Sequence, residues 1–426
     1  MTKIVGVVAE YNPFHKGHLH HIAEAKRLTG ADAVVCVMSG DFVQRGEPAI
    51  LDKYVRARTA VSHGVDLVIE LPFVYAVGGA ELFSSGAVRL LNGLGIVDTI
   101  SFGMESLREG CGPEQIEHMK GLLSMVSRYL AFEPGSFGER LREYQSLGLS
   151  YPLSREKAVA DVLGKTAASL LKNPNDGLGV DYLTAMTRLH AKWELNITDV
   201  APVPRKGAGL HEQGEEYAGA TAIRELLREG KFKEAAKYLP NGNSSSVFGW
   251  PKAGVVCPSQ LVFSDNMFEP LIFAILGMKA GEAQNLYAAG EGLENRLLSA
   301  SMKAKNMEEL VSLTKSKRYT RTRIQRLILH ALTGLTKDDV AKATSEPLYA
   351  RVLGMSEKGP AIIRRSKKVQ AEIGQNLPFI TSVSRQKDIL SQSPVTNAFD
   401  VKAAKIWTML RDGNLADFRY SPNPKG

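Results

Sequence analysis

Five short apolar runs, separated by stretches with helical spacing, constrain this chain more than any other feature. "KIVGVVA" (Lys3–Ala9), "ADAVVCVMSG" from Ala31, "VDLVIELP" from Val65, "VDTISFG" from Val97 and "ITDVAPVPR" (Ile197–Arg205) are rich in β-branched residues and carry few charges. Such runs suit parallel strands covered on both faces, because a strand with one wet face alternates apolar and polar residues. After the first run, "GHLHHIAEAKRLTG" sets Leu19, Ile22 and Ala23 at helical spacing and closes on Gly30, a C-cap. A basic helix is expected from about Asp52, placed as its N-cap, to His63, and another from about Ala80 to Leu91. Strands alternating with helices predict an α/β fold whose N-terminal part is a doubly wound parallel sheet.

At 426 residues the chain is too long for one compact core. Residues 113–171 break the alternation with helical patterns and are read as an insertion before the fifth strand. "NGNSSS" (Asn241–Ser246) reads as a linker, and the chain beyond it is dominated by helical periodicity with no run of strands. The expected organisation is an α/β domain over 1–238, with its helical insertion, and a mainly α-helical domain over 239–426.

The three cysteines, Cys36, Cys111 and Cys257, are far apart and form no CxxC, so neither a disulfide framework nor a zinc site is expected. No stretch approaches the roughly 18 apolar residues that span a bilayer. A soluble, cytoplasmic protein is the expectation. Charge is informative in its distribution: Ser301–Gln370 holds 16 Lys/Arg against 6 Asp/Glu, a local excess larger than the net +8 of the whole chain. That is the footprint of a polyanion partner, most often nucleic acid.

"EYNPFHKGH" (Glu10–His18) falls between the first strand and the first helix, the place where open α/β sheets bind ligands. A helix start near Gly17 offers N–H groups and a positive dipole end to a phosphate, and His15 and His18 add donors. Such a set stabilises charge growing on a phosphoryl group. Ordinary surface histidines are the bland alternative. Metal binding by His15, His18, His20 and His21 ranks low, because no acid stands among them as in H-E-x-x-H.

In this position "HKGH" resembles the H-x-G-H signature of nucleotidyltransferases, and "AEYNPFHKGH", "VMSGDFVQRGEPAILDKYVRA" and "FGMES" resemble one branch of them, the bacterial tRNA(Met) cytidine acetate ligases. The resemblance implies a nucleotidyltransferase-like Rossmann domain that activates acetate with ATP as acetyl-adenylate, then acetylates N4 of the wobble cytidine of elongator tRNA(Met). It implies His15 and His18 as catalytic. It also implies ATP contacts along the first strand and loop: Val7, Val8, Ala9, Glu10, Tyr11, Asn12, Pro13, Phe14, His15, Lys16, Gly17, His18, Leu19 and His20. Further contacts fall on Gly103, Asn175 and Arg205, and on Thr221 and Arg224 in "GATAIR". Two positions depart from the family pattern: Asp176 stands where a second asparagine is usual, and Leu210 where tyrosine is common. Taken singly these residues have plainer readings, such as a turn glycine at Gly103 or helix caps at Asn175 and Thr221. Mg²⁺ is expected with ATP, without a dedicated carboxylate cage.

"MSGDFVQRGEPA" is long for a strand-to-helix loop, and Asp41, Gln44 and Arg45 are candidates to line a cavity for acetate or the target base. In the basic segment, Lys315, Lys317, Arg318, Arg321, Arg323 and Arg326 come with no intervening acid. Ile324, Leu327, Ile328, Ala331 and Leu332 form the apolar stripe of the helix that carries them. Arg364, Arg365, Lys367 and Lys368 form a second cluster further along. Both are expected to bind tRNA phosphates, which position an RNA without reading its sequence. Two other functions stay open. A small-molecule adenylyltransferase would not need the basic segment, and a non-catalytic RNA-binding protein would not need the histidine loop.

Overall fold

The structure, a computed structural model, describes residues 2–192, 195–206, 217–240 and 261–412. Its strands are β1 (Ile4–Ala9), β2 (Ala33–Ser39), β3 (Phe42–Val43), β4 (Glu47–Pro48), β5 (Leu67–Leu71), β6 (Thr99–Met104), β7 (Asp199–Pro204), β8 (Ala350–Met355) and β9 (Phe379–Ile380). Seven of them form one sheet in the order β7-β6-β1-β2-β5-β8-β9, while β3 and β4 make a separate antiparallel hairpin. The five strands read from sequence run parallel, with Val7 beside Cys36 of β2 and Ser101 of β6. From β1 the chain moves outward through β2 and β5, then returns to β6 on the other side. The point of reversal lies between β1 and β6, beside the histidine loop.

Side chains divide between the two faces with the period of two that a strand imposes. Val5, Val7, Val34, Cys36 and Met38 pack under helices α1 (Lys16–Thr29) and α2 (Lys53–Ser62). Ile4, Val35, Val37, Leu67 and Ile69 pack beneath the Ala80–Gly93 helix and the helices of the insertion. Both caps read from sequence are present: Gly30 is left-handed at φ 63°, and the Asp52 carboxylate accepts from Tyr54 N–H at 2.7 Å. The insertion is helical, with its main helices at Pro113–Phe132, Gly135–Ser146 and Tyr151–Leu163.

Four strands went unread: the short β3–β4 hairpin inside the long loop after β2, and two strands of the main sheet, β8 and β9. β8 pairs antiparallel with β5, Met355 against Leu67, and β9 extends β8, so the mainly helical C-terminal part returns to complete the sheet. β8 also supplies Arg351 to a buried charge cluster. Lys53 Nζ lies 2.8 Å from Asp41 and 2.7 Å from Glu70, whose other oxygen faces Arg351 Nε at 3.3 Å. Burial and Arg351 pull the Lys53 ammonium down, but Asp41 and Glu70 outweigh them and hold it above its ordinary range. Gly40 has to be glycine here, because a Cβ would sit 2.2 Å from Glu70 Oε1. The linker Asn241–Ser246, Leu210 and Cys257 lie outside the described residues.

Several histidines are buried in uncharged form. His330 bridges Ala288 N–H, at 3.2 Å from Nδ1, and the Val77 carbonyl, at 3.1 Å from Nε2. Burial lowers it from 6.5 to about 3, lowers His15 to about 3, and lowers His21 to about 4. Unfolding lets each recover its ordinary basicity, so below pH 6.5 the unfolded chain binds more protons and stability falls as pH falls. At pH 5 each contributes a loss of about 2 kcal/mol. Asp400, which burial and then Glu70 raise to about 6, works in the opposite direction and offsets part of the loss. The urea midpoint is therefore expected to drop between pH 7 and pH 5, and a flat profile would contradict buried neutral histidines.

Candidate active site

The loop after β1 begins with a bend at Tyr11, whose φ of 48° is unusual for a residue with a side chain. Tyr11 is held there by packing: it is buried against Phe14 at 4.8 Å and against the His18 ring at 4.9 Å between centroids. Asn12 Oδ1 accepts from Ile50 N–H at 2.7 Å. Beneath the loop, the buried Arg56 guanidinium donates to the carbonyls of Glu10, Ser39, Gly40 and Leu51, tying the end of β1 to the end of β2.

His15 is the N-cap of α1, and its Nδ1 accepts from Gly17 N–H at 3.1 Å. His18 reaches back, its Nδ1 accepting from His15 N–H at 3.2 Å. The two rings stack at 3.7 Å. This reciprocal cap explains the glycine of H-x-G-H, since a Cβ at Gly17 would lie 2.9 Å from the His15 ring. It also fixes the tautomer: with both Nδ1 atoms accepting, the proton of each ring is on Nε2. Burial, then Arg205 and Arg224, lowers His15 to about 3, and burial with His15, His21 and Arg205 holds His18 well below its ordinary value. The pair therefore consists of two neutral donors.

The helix start contributes less than expected. Lys16 N–H is taken by the Tyr238 carbonyl at 2.9 Å and Gly17 N–H by His15, so those two amides are not free for phosphate. His20 and His21 anchor α1, to the Pro204 carbonyl at 3.3 Å and to Ser101 Oγ at 3.0 Å. Val7 is a core side chain, whereas Val8, Ala9 and Glu10 are partly accessible. Glu10 Oε1 accepts from Gln44 N–H at 3.0 Å, and burial raises its carboxyl against the pull of Arg45 and Arg224.

Two arginines flank the histidines, each facing a carboxylate. Arg205 Nη1 lies 3.0 Å from Glu105 Oε1 and packs over Gly103. Arg224 donates to the Asn12 carbonyl at 2.9 Å and faces Glu47 at 3.4 Å, with Thr221 Oγ1 also 3.4 Å away. Asn175 joins the set through Glu105, to which both its amide side chain and its backbone N–H donate. The helix there starts at Pro174 after Asn173, and the other starts at Ala220 after Gly219, so neither Asn175 nor Thr221 is an N-cap.

Asp176 has a structural use for its second carboxylate oxygen. Oδ1 accepts from Glu105 N–H at 2.8 Å and Ser106 N–H at 3.3 Å, and Oδ2 accepts from Ser106 Oγ and from Asn173 Nδ2 at 2.8 Å. An asparagine would offer one acceptor atom instead of two, so the departure locks the loop after β6 onto the Pro174 helix. Gly103 is equally constrained, because an added Cβ would lie 3.1 Å from Arg205 Cγ. The resemblance implies that Arg205 contacts ATP; on that expectation Gly103→Ala should displace Arg205 and weaken ATP binding about tenfold, roughly 1.4 kcal/mol, by titration calorimetry. An unchanged affinity would contradict that expectation.

Of the residues considered for acetate or base, Asp41 is a correction: it is buried and spent on Lys53. Arg45 remains partly accessible, is close enough to Glu10 and Arg224 to perturb both, and makes no hydrogen bond to the described residues. Sequence reasoning missed Glu47, Glu105 and Gln325, since each is recognised only by its partner from a distant segment.

The basic clusters lie apart. Acids absent from the local sequence arrive from other elements: Arg318 and Arg323 pair with Glu291 at 2.7 and 3.2 Å, and Arg321 pairs with Glu308. Tyr319 is buried with its hydroxyl on the Glu291 carbonyl, a packing role rather than a stacking platform. Arg326 turns inward to the Gln44 carbonyl at 3.4 Å, and burial lowers it to about 10. Lys315 and Lys317 are exposed. Arg364, Lys367 and Lys368 are exposed on the Gly359–Glu372 helix, where Arg365 donates to the Thr2 carbonyl and Ser366 to the Leu94 carbonyl. Thr2 and Leu94 precede β1 and β6, so this second cluster sits at the end of the sheet opposite the histidine loop.

A parallel sheet reversing at β1, with an H-x-G-H cap and two arginines at that edge, defines a nucleotidyltransferase-type site. The family described as HIGH Nucleotidyl Transferase matches residues 2–421. Two relatives named tRNA(Met) cytidine acetate ligase are each 37% identical: that of Caldanaerobacter subterraneus subsp. tengcongensis over 412 residues, 95% of this chain and 94% of its own, and that of Thermoanaerobacter sp. strain X514 over 415 residues, 95% of each. The crystal structure of Thermotoga maritima TmcAL bound with alpha-thio ATP superposes with a TM-score of 0.85 at 32% identity, covering 99% of both chains. The chain belongs to the tRNA(Met) cytidine acetate ligase family of HIGH nucleotidyl transferases.

Proposed function

We infer that this protein activates acetate with ATP and transfers the acetyl group to N4 of the wobble cytidine of elongator tRNA(Met). The observation that carries the inference is the neutral His15–His18 donor pair, set between Arg205 and Arg224 at the reversal point of the sheet. An acetate oxygen attacks the α-phosphorus, a new P–O bond forms, and pyrophosphate departs. Nε2–H of His15 and His18 donate to oxygens gaining charge, while Arg224 and Arg205 neutralise the triphosphate. Neutral imidazoles can do this without losing a proton at any step. In the second half the cytidine N4 attacks the acetyl carbon, AMP leaves, and the amine gives up one proton.

Arg45 receives the acetate carboxylate, a role supported by its closeness to Glu10 and Arg224. Mg²⁺ travels with ATP as part of the substrate. Glu10, Glu47 and Glu105 are already engaged by Gln44, by Arg224 with Gln325, and by Arg205 with Asn175. Among the described residues no group of three or more His, Cys, Asp or Glu is disposed to hold a metal. No described helix is long and apolar enough to cross a membrane, and a tRNA substrate places the work in the cytoplasm.

The RNA is held through Lys315 and Lys317, which are exposed, and through Arg318, Arg321 and Arg323, whose ion pairs with Glu291 and Glu308 contribute only about 0–1 kcal/mol each and so exchange readily for phosphates. The test is ATP–pyrophosphate exchange measured with and without acetate. Exchange that depends on acetate supports adenylation. Exchange indifferent to acetate, with ATP bound, would assign a different acceptor.

A further inference from the structure

The β3–β4 hairpin stands between the basic helix and the nucleotide site and is fastened to both. On the helix side, Gln325 Nε2–H donates to Glu47 Oε1 at 2.7 Å and Arg326 donates to the Gln44 carbonyl. Gly46, at φ 79°, lets the hairpin touch the Arg321–Thr333 backbone, where a Cβ would lie 2.4 Å from Arg326 N. On the site side, Glu47 Oε2 faces Arg224 Nη2 at 3.4 Å, and Gln44 N–H donates to Glu10. Glu47 thus offers one oxygen to the arginine and the other to the helix. It cannot turn toward either without loosening the other contact. Gln325 is buried, in the same turns as Arg321 and Arg323, which pair with Glu308 and Glu291.

We propose that Glu47 is a positioning residue through which the basic helix sets the aim of Arg224, so that RNA on that helix and ATP in the site alter each other's affinity. The proposal rests on the proposed function in two respects, Arg224 as a phosphate ligand and the basic helix as the RNA-binding surface. Linkage requires the effect to be reciprocal: whatever factor RNA applies to ATP binding, ATP applies to RNA binding. A packed strut with two discrete contacts is a physical route for such coupling, whereas proximity alone would not be.

The experiment is a binding cycle on the full chain without acetate. ATP is titrated with and without saturating unmodified elongator tRNA(Met) transcript, and the transcript with and without ATP. In the unaltered protein the two factors should agree and be about fivefold or more. Gln325→Ala, which leaves the Glu47–Arg224 pair in place, should keep the RNA-free ATP affinity within about twofold and bring the factor close to one. Glu47→Ala should lose the factor and weaken ATP binding as well. An unaltered protein with a factor of one, or a Gln325→Ala protein that retains the full factor, overturns the proposal. Arg224→Ala with unchanged ATP affinity would also overturn it, through the reading beneath it. Coupling that persists in a protein unable to acetylate RNA would instead strike the chemistry and leave the strut standing.

Discussion

Alanine at both His15 and His18 lowers acetate-dependent ATP–pyrophosphate exchange by about 10³–10⁵-fold, the expected loss when preorganised donors to a developing oxyanion are removed. The same residues cap α1, so part of the effect of any single change could be structural. That part is small: losing an N-cap costs about 1 kcal/mol, against the several kcal/mol contained in the rate. His15→Asn separates the two roles, because asparagine still accepts the Gly17 N–H while its side chain cannot place a donor where Nε2 was. The outcome is stability close to that of the unaltered protein with exchange still lost. Recovery of exchange in His15→Asn would show that the cap, and not the donor, is what the reaction needs. The neutral state also predicts that exchange shows no inflection near pH 6.5 from either ring.

The largest expected loss of stability lies away from the chemistry, at Lys53. Its ammonium sits between Asp41 and Glu70 in a site closed by Arg351. Lys53→Met leaves two carboxylates buried around an apolar side chain, and removing one partner of a buried ion pair costs about 3–5 kcal/mol. The urea midpoint should fall accordingly, with an unchanged slope. Adding Glu70→Gln to Lys53→Met should recover part of the loss, because fewer uncompensated charges remain. A midpoint close to that of the unaltered protein would mean that water reaches the cluster and the charges are not buried. The same cluster joins the loop after β2, α2, β5 and β8, so its integrity holds the C-terminal strands to the N-terminal half of the sheet.

The five parallel strands were legible because burial on both faces removes the polar alternation that other strands show. β8 was not. "ARVLGM" is a single six-residue run between helices, and Arg351 in its middle reads as polar until Glu70 is seen beside it. The histidine loop was legible because both histidines and their glycine act within one turn. Arg205 and Arg224 could be placed by resemblance, but Glu105 and Glu47 could not. Each is defined by a partner 100 or more residues away. The free N–H groups expected at the start of α1 were an error of the same kind: the Tyr238 carbonyl that takes one of them comes from beyond residue 230. Local sequence shows what a segment can offer, and the fold decides what is already taken.

The most direct test of the chemistry is where labelled acetate goes. The full chain would be incubated with carbon-labelled acetate, ATP, Mg²⁺ and unmodified elongator tRNA(Met) transcript, and the RNA digested to nucleosides for mass spectrometry. The prediction is label in N4-acetylcytidine from the wobble position, strictly dependent on ATP and absent with the His15→Ala, His18→Ala protein. Label reaching that cytidine without ATP, or no labelled nucleoside while ATP and RNA both bind, would contradict it.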